Sequence, residues 1–121
     1  MKAAPPLGQF EQTVLTAVLR CGEKAYGVPI HEAVEVLSAR TIAPGAVYAT
    51  LERLEDKALI HSWLSDPTPE RGGRARRYYR LERDGELALR ESLMAARRLW
   101  EAAKAVGRKD LWSAMSTPIH P

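Results

Sequence analysis

The chain has 121 residues, 45% hydrophobic and 27% charged, with 18 Lys and Arg against 15 Asp and Glu for a net charge of +3. That balance suits one compact domain, or a domain plus an extra helix, and excludes wholesale disorder. No stretch approaches the roughly 20 apolar residues that span a bilayer. The apolar start is broken by Gln9, Glu11 and Gln12, unlike a secretory leader, and the lone Cys21 fits a reducing compartment. A soluble, cytoplasmic protein is expected.

In chain order, Phe10, Val14, Ala17, Val18 and Cys21 share one face of a first helix, which Leu15 and Leu19 widen and Gly22 ends. A second helix is expected to open at Pro29, with Ile30, Ala33, Val34 and Leu37 inward. A third opens at Pro44. Val47, Leu51, Leu54 and Ala58 form its buried stripe; Gly45, Ala49, Glu52 and Asp56 lie opposite, with Tyr48 and Arg53 on the flanks. The period then falls to two. Residues 59–65 read as a strand, Asp66-Pro67-Thr68-Pro69 breaks it, and Gly72-Gly73 supplies a loop. Residues 75–81 resume as a strand, with Arg77, Tyr79 and Leu81 on one face and Arg76, Tyr78 and Arg80 on the other. Asp84 is expected to cap a last helix reaching about Val106, before Gly107 and a loose tail.

Charge is unevenly placed. Residues 70–83 read ERGGRARRYYRLER, six arginines against two glutamates; this segment carries +4 and the other 107 residues carry −1. Arginine forms planar, forked hydrogen bonds to phosphate, so the hairpin tip has the composition of a polyanion contact, with a solvated basic loop as the plainer alternative. The order helix, helix, helix, arginine-tipped hairpin, long helix is that of a winged helix-turn-helix: mainly α with a small β-hairpin, plus a long C-terminal dimerisation helix. The expected divisions are a DNA-binding domain over 7–82, the dimerisation helix over 83–107 and a flexible tail over 108–121. In such a fold the third helix meets the major groove and the hairpin lies along phosphates. Gly45, Ala46 and Ala49 are small enough for close approach. Pro44 lacks an N–H and leaves the positive end of that helix free to face a phosphate.

The segments LGQFEQTVLTAVL, AYGVPIHEAVE, PGAVYATLERLEDKALI and PTPERGGRARRYYRLERDG together resemble the PadR-like regulators, from Leu7 to about Gly85. The single short C-terminal helix is similar to the smaller subfamily. The resemblance implies a dimeric, DNA-binding transcriptional regulator, usually a repressor and often responsive to a small organic molecule. By position, Tyr26 and Gly27 match the AYG turn; Gly45, Tyr48, Thr50 and Arg53 match the recognition helix; Arg71, Arg74, Arg76 and Arg77 match the wing. These residues, with Pro44, are the expected DNA contacts. Ala43, Ala58 and Glu82 depart from the family pattern at helix ends.

Plainer roles stand beside these. Tyr48 could cover its helix edge, and Asp56 could tether Arg53 at i+3 by only about 0.2–0.5 kcal/mol. His31 and Glu35 read as a surface pair, and Cys21 as core. No His or Cys cluster has metal-ligand spacing, no catalytic constellation emerges, and no cofactor is expected. Rival readings are a winged-helix module that binds protein and a pure small-molecule binder; neither needs an arginine-dense wing beside a small-residue helix.

Leu89, Leu93, Ala96, Trp100 and Ala103 recur at alternating spacings of four and three, a heptad seam. Its expected partner is the same seam in a second subunit, with Leu15 and Leu19 of the first helix alongside, so that two-fold symmetry matches a pseudo-palindromic operator on double-stranded DNA. Between Ala96 and Ala103, Trp100 either opens a slot for a small planar hydrophobic effector or seals the dimer core.

Overall fold

The computed structural model describes residues 6–66 and 75–106. Helix α1 (Gln9–Cys21) buries Val14, Leu15, Ala17 and Val18 and ends at Gly22, whose N–H returns to the Val18 carbonyl. A 3-10 turn leads to α2 (Gly27–Ser38) and then α3 (Pro44–Asp56). Strands β1 (Ile60–Leu64) and β2 (Arg77–Leu81) pair antiparallel, Ser62 opposite Tyr79 and Trp63 opposite Tyr78. Helix α4 (Arg83–Ala105) closes the described chain. The architecture is the winged helix-turn-helix expected from the sequence. Arg71, Arg74, the Gly72-Gly73 turn and the tail lie outside the described residues.

One apolar core joins these elements. Val14, Leu15 and Val18 of α1 meet Ile30 and Val34 of α2, Val47, Leu51 and Leu54 of α3, Tyr79 and Leu81 of β2, and Ala88 and Leu89 of α4. Strand alternation follows the sequence reading: Tyr79 and Leu81 turn inward, and Tyr78 and Arg80 outward. Burial pushes the Tyr79 phenol up from its ordinary value. The strand pair also gains an edge. The Tyr79 N–H donates to the Ala25 carbonyl (2.9 Å), and Tyr26 bridges Tyr78, so the chain entering α2 lies against β2.

Several expectations need correction. Helix α2 opens at Gly27, two residues before Pro29. Proline fits there because first-turn N–H groups have no intrahelical acceptor. Leu37, expected inward, is 40% exposed. Asp84 does not cap α4: the N-cap is Glu82, without a side-chain cap bond, and Asp84 lies in the first turn, where its charge suits the helix dipole. His31 and Glu35 do more than pair. The His31 Nε2–H donates to the Ile42 carbonyl (2.6 Å), and the Ile42 N–H donates to Glu35 Oε2 (2.9 Å), clamping the turn between α2 and α3.

A second tie holds the far end of α3. Glu11 Oε1 accepts the Gly8 N–H (2.9 Å) and Oε2 accepts Lys57 Nζ (2.6 Å), so one carboxylate starts α1 and holds the residue after α3. The Lys57 ammonium is the main reason the Glu11 carboxyl sits below its ordinary value. Close contact also fixes α4. A Cβ on Gly85 would overlap the Leu59 carbonyl, and the Glu82 N–H donates to that same oxygen (2.9 Å). Only glycine lets α4 start so near β1.

Ala58, assigned to the buried stripe of α3, lies beyond the helix, is exposed and has φ of 61°. An L-residue in that region costs about 1–2 kcal/mol, partly offset because glycine has about 0.4–1 kcal/mol more unfolded-state freedom to lose. Ala58→Gly is therefore expected to stabilise the protein by about 0.5–1 kcal/mol. Thermal melting should show a rise of roughly 2–6 °C. An unchanged or lower midpoint would contradict the strain assignment.

Candidate nucleic-acid interface

The outer face of α3 is nearly bare. Pro44, Gly45, Ala46 and Ala49 are exposed, and nothing lies within 4 Å of where a Gly45 Cβ would stand. The N-cap, Ala43, makes no side-chain bond to the first turn, as its chemistry requires. The N-terminal half of α3 can therefore approach a partner's backbone closely, positive end first.

Thr50 does not belong to that face. It is 1% exposed, packed with Val47, Leu51 and Leu54, so its side chain cannot reach a base edge. Its Oγ1 instead accepts a hydrogen bond from Arg53 Nη2 (2.9 Å). Thr50 thus orients Arg53, where the plainer alternative was a weak tether to Asp56. The one guanidinium of α3 is thus held by a buried hydroxyl.

Tyr48 is half exposed and reaches sideways to α2. Its hydroxyl lies over Gly27, where any Cβ would overlap it. The Ala25-Tyr26-Gly27 turn and the tyrosine of α3 are thus two halves of one contact. It brings a phenolic hydroxyl to the start of α2, beside the exposed Val28. Spacing alone could not show this pairing, since the two residues lie twenty-one positions apart.

On the hairpin, Arg76 and Arg77 differ. The Arg77 Nη1 donates to Ser62 Oγ (2.9 Å), and the Ser62 hydroxyl faces both Glu55 oxygens at 2.9 and 2.8 Å. A chain of contacts thus runs from the last turn of α3 across both strands. Arg76 instead places its guanidinium over the Tyr26 ring, 4.1 Å from the centroid. Arg80 lies over Trp63 at 5.5 Å, on the same outward face of the sheet. Arg76 is thereby held to the entry of α2, Arg77 to the last turn of α3 through Ser62, and Arg80 to β1.

The seam on α4 is broader and less uniform than the heptad implies. Leu89 is 3% exposed and Leu15 on α1 is fully buried, both within this chain's own core, so neither has side-chain surface to offer a second subunit. Leu19, Leu93, Ala96 and Trp100 are exposed, and Ala103 is partly so. Leu87, Met94 and Leu99, missed by the heptad, are exposed as well; with Pro6 and Leu7 they line a groove of about 780 Å³. Leu87 and Met94, seven apart, form a line parallel to that of Leu93 and Trp100. No helix among the described residues is long and apolar enough to cross a membrane.

Comparison with known proteins agrees with this architecture. A family model described as the transcriptional regulator PadR-like family matches residues 14–91. No curated protein matches in sequence. Among solved structures, a PadR-like transcription factor from Bacteroides fragilis is 25% identical with a TM-score of 0.66, over 83% of this chain and 91% of that one. A PadR family transcription regulator from Clostridium difficile R20291 is 24% identical with a TM-score of 0.63, over 81% and 97%. The RosR protein of H. salinarum is 24% identical with a TM-score of 0.58, over 93% and 90%.

The Gly27–Tyr48 contact makes a prediction of sign. Alone, Gly27→Ala should destabilise by about 1–2 kcal/mol, because the new methyl must displace Tyr48. In a Tyr48→Ala background the same change should be neutral or slightly stabilising, since alanine is the better helix former. Equal losses in both backgrounds, read by denaturant melts, would contradict the contact.

Proposed function

The chain belongs to the PadR-like family of transcriptional regulators, and from that premise we propose a dimeric repressor that a small planar hydrophobic ligand releases from its operator. DNA binding comes with the family; the repressor role, the dimer and the ligand are the proposal. The observation that carries the DNA-facing part of this reading is a bare start of α3 together with an aimed Arg53 and, on the hairpin, Arg76 held over Tyr26. Catalysis has no place in this reading.

Contacts divide by chemistry. Arg76, with Arg71 and Arg74 proposed beside it, supplies phosphate affinity that does not depend on sequence. Arg53 and the exposed methyls of Ala46 and Ala49 meet the groove, where an arginine fork suits guanine and a methyl suits thymine. Glu52 is exposed on the same helix and disfavours phosphate, so from the C-terminal half of α3 only Arg53 is proposed to reach the duplex. With so few base-reading side chains, duplex shape contributes to selection. The proposed site of action is the cytoplasm.

The exposed apolar lines of α4 support the dimer. Leu93, Met94, Leu99 and Trp100 face outward on a helix whose inner side is already packed. Trp100 stands between the small Ala96 and Ala103, and a paired arrangement opens a flat aromatic slot there. Two-fold symmetry then presents two recognition helices to successive major-groove faces, about 34 Å apart.

Leu93→Glu tests this directly, because the side chain is exposed and the fold does not rely on it. The variant should sediment as a monomer and lose operator affinity by at least about a hundredfold, with little change on random duplex. Trp100→Ala should stay dimeric and bind the operator while no longer being released by planar apolar dyes. A monomeric wild-type chain at micromolar concentration would overturn the proposal.

A further inference from the structure

Three rings cross the outer face of the hairpin. Tyr26, at the mouth of α2, lies 5.4 Å from Tyr78 on β2. Tyr78 stacks in turn on Trp63 of β1, 5.9 Å away with the planes 19° apart. The backbone supports the ladder: Trp63 and Tyr78 are register partners, and Tyr26 bridges Tyr78. Ring pairs of this kind stiffen a two-stranded ribbon that would be marginal alone.

Arg76 sits at the end of this ladder and is restrained twice. Its N–H donates to Ser65 Oγ (3.1 Å), and its carbonyl accepts the Ser65 N–H (2.8 Å). Its guanidinium then lies over Tyr26 at 4.1 Å. Stacking occupies the face of the guanidinium and leaves its five N–H donors, which lie in the plane, directed outward at the edge. Among the described residues no carboxylate pairs with Arg76. The stacked ring is the residue before Gly27, where the Tyr48 hydroxyl rests.

We infer that Tyr26 is a positioning residue whose ring, not its hydroxyl, holds the Arg76 guanidinium at the start of α2. The hairpin and the helix-turn-helix then meet a single stretch of phosphate backbone in fixed relation. An arginine on a free hairpin would search many rotamers and lose that freedom on binding; one already laid on a ring loses less. This differs from the family-based expectation of Tyr26 as a direct DNA contact. It rests on the DNA-binding reading of the same face.

The test uses the full chain and a fluorescent duplex titrated across a salt series. Tyr26→Phe keeps the ring and should bind within about twofold of wild type. Tyr26→Leu should bind about five- to tenfold more weakly. Arg76→Ala should lower affinity about tenfold and reduce the salt slope by about 0.9, and adding Tyr26→Leu to it should cost almost nothing more. If Tyr26→Phe is as weak as Tyr26→Leu, or the double variant shows the full product of both losses, the inference is overturned. Should Tyr26→Leu melt early, proton NMR of the folded wild type decides. Arg76 side-chain protons should be shifted upfield by the ring and remain so in Tyr26→Phe; unshifted protons overturn the inference. A wild type that binds no duplex at any salt overturns the DNA-binding reading itself, and this proposal with it.

Discussion

Helix α3 has to be gripped firmly along one side while nothing covers the other. Its inner side supplies Val47, Leu51 and Leu54 to the core, each buried side chain contributing about 1.5–3 kcal/mol. Apolar burial has no direction, however, and would let the helix roll or slide. Polar ties at its ends remove that freedom. His31 and Glu35 hold Ile42 just before α3, Glu11 holds Lys57 just after it, and Glu55 with Ser62 joins its last turn to the hairpin. The exposed pairs among these contribute little stability individually. Their effect is geometric: they set where a bare helix start points.

The same grip explains why the two glycines of closest approach lie where they do. Gly27 lets the Tyr48 phenol rest on the start of α2, and Gly85 lets α4 begin against the Leu59 carbonyl. One fixes α3 to α2, the other fixes α4 to the hairpin. The proposed DNA-facing surface and the proposed dimer surface lie on different elements, and these two close contacts join those elements.

Much of this was legible in the sequence. The order of elements, the start of α3 at Pro44 and the two faces of β2 followed from periodicity and from the residues that start and stop helices. The misread positions share a cause. Thr50 looks like a surface polar residue, yet it falls on the inner line of α3 between Val47 and Leu54 and is buried. Leu15 and Leu89 look like seam residues, but their own chain's core takes them first. Periodicity tells which residues share a face and is silent on what covers that face. The Gly27–Tyr48 contact, the Ile42 clamp and the Tyr26–Arg76 stack join residues far apart in the chain or on different elements, which no single-helix pattern records.

The central claim is that the start of α3, the mouth of α2 and Arg76 form one DNA-facing surface. Amide chemical shifts of the labelled protein, followed as an operator-length duplex is added, test it most directly. The account predicts large, concerted shifts at Gly45, Ala46, Tyr48 and Ala49, together with Tyr26 to Val28 and Arg76, while Leu93 to Ala103 on α4 stay nearly still. Shifts concentrated on α4 with α3 unmoved would contradict it.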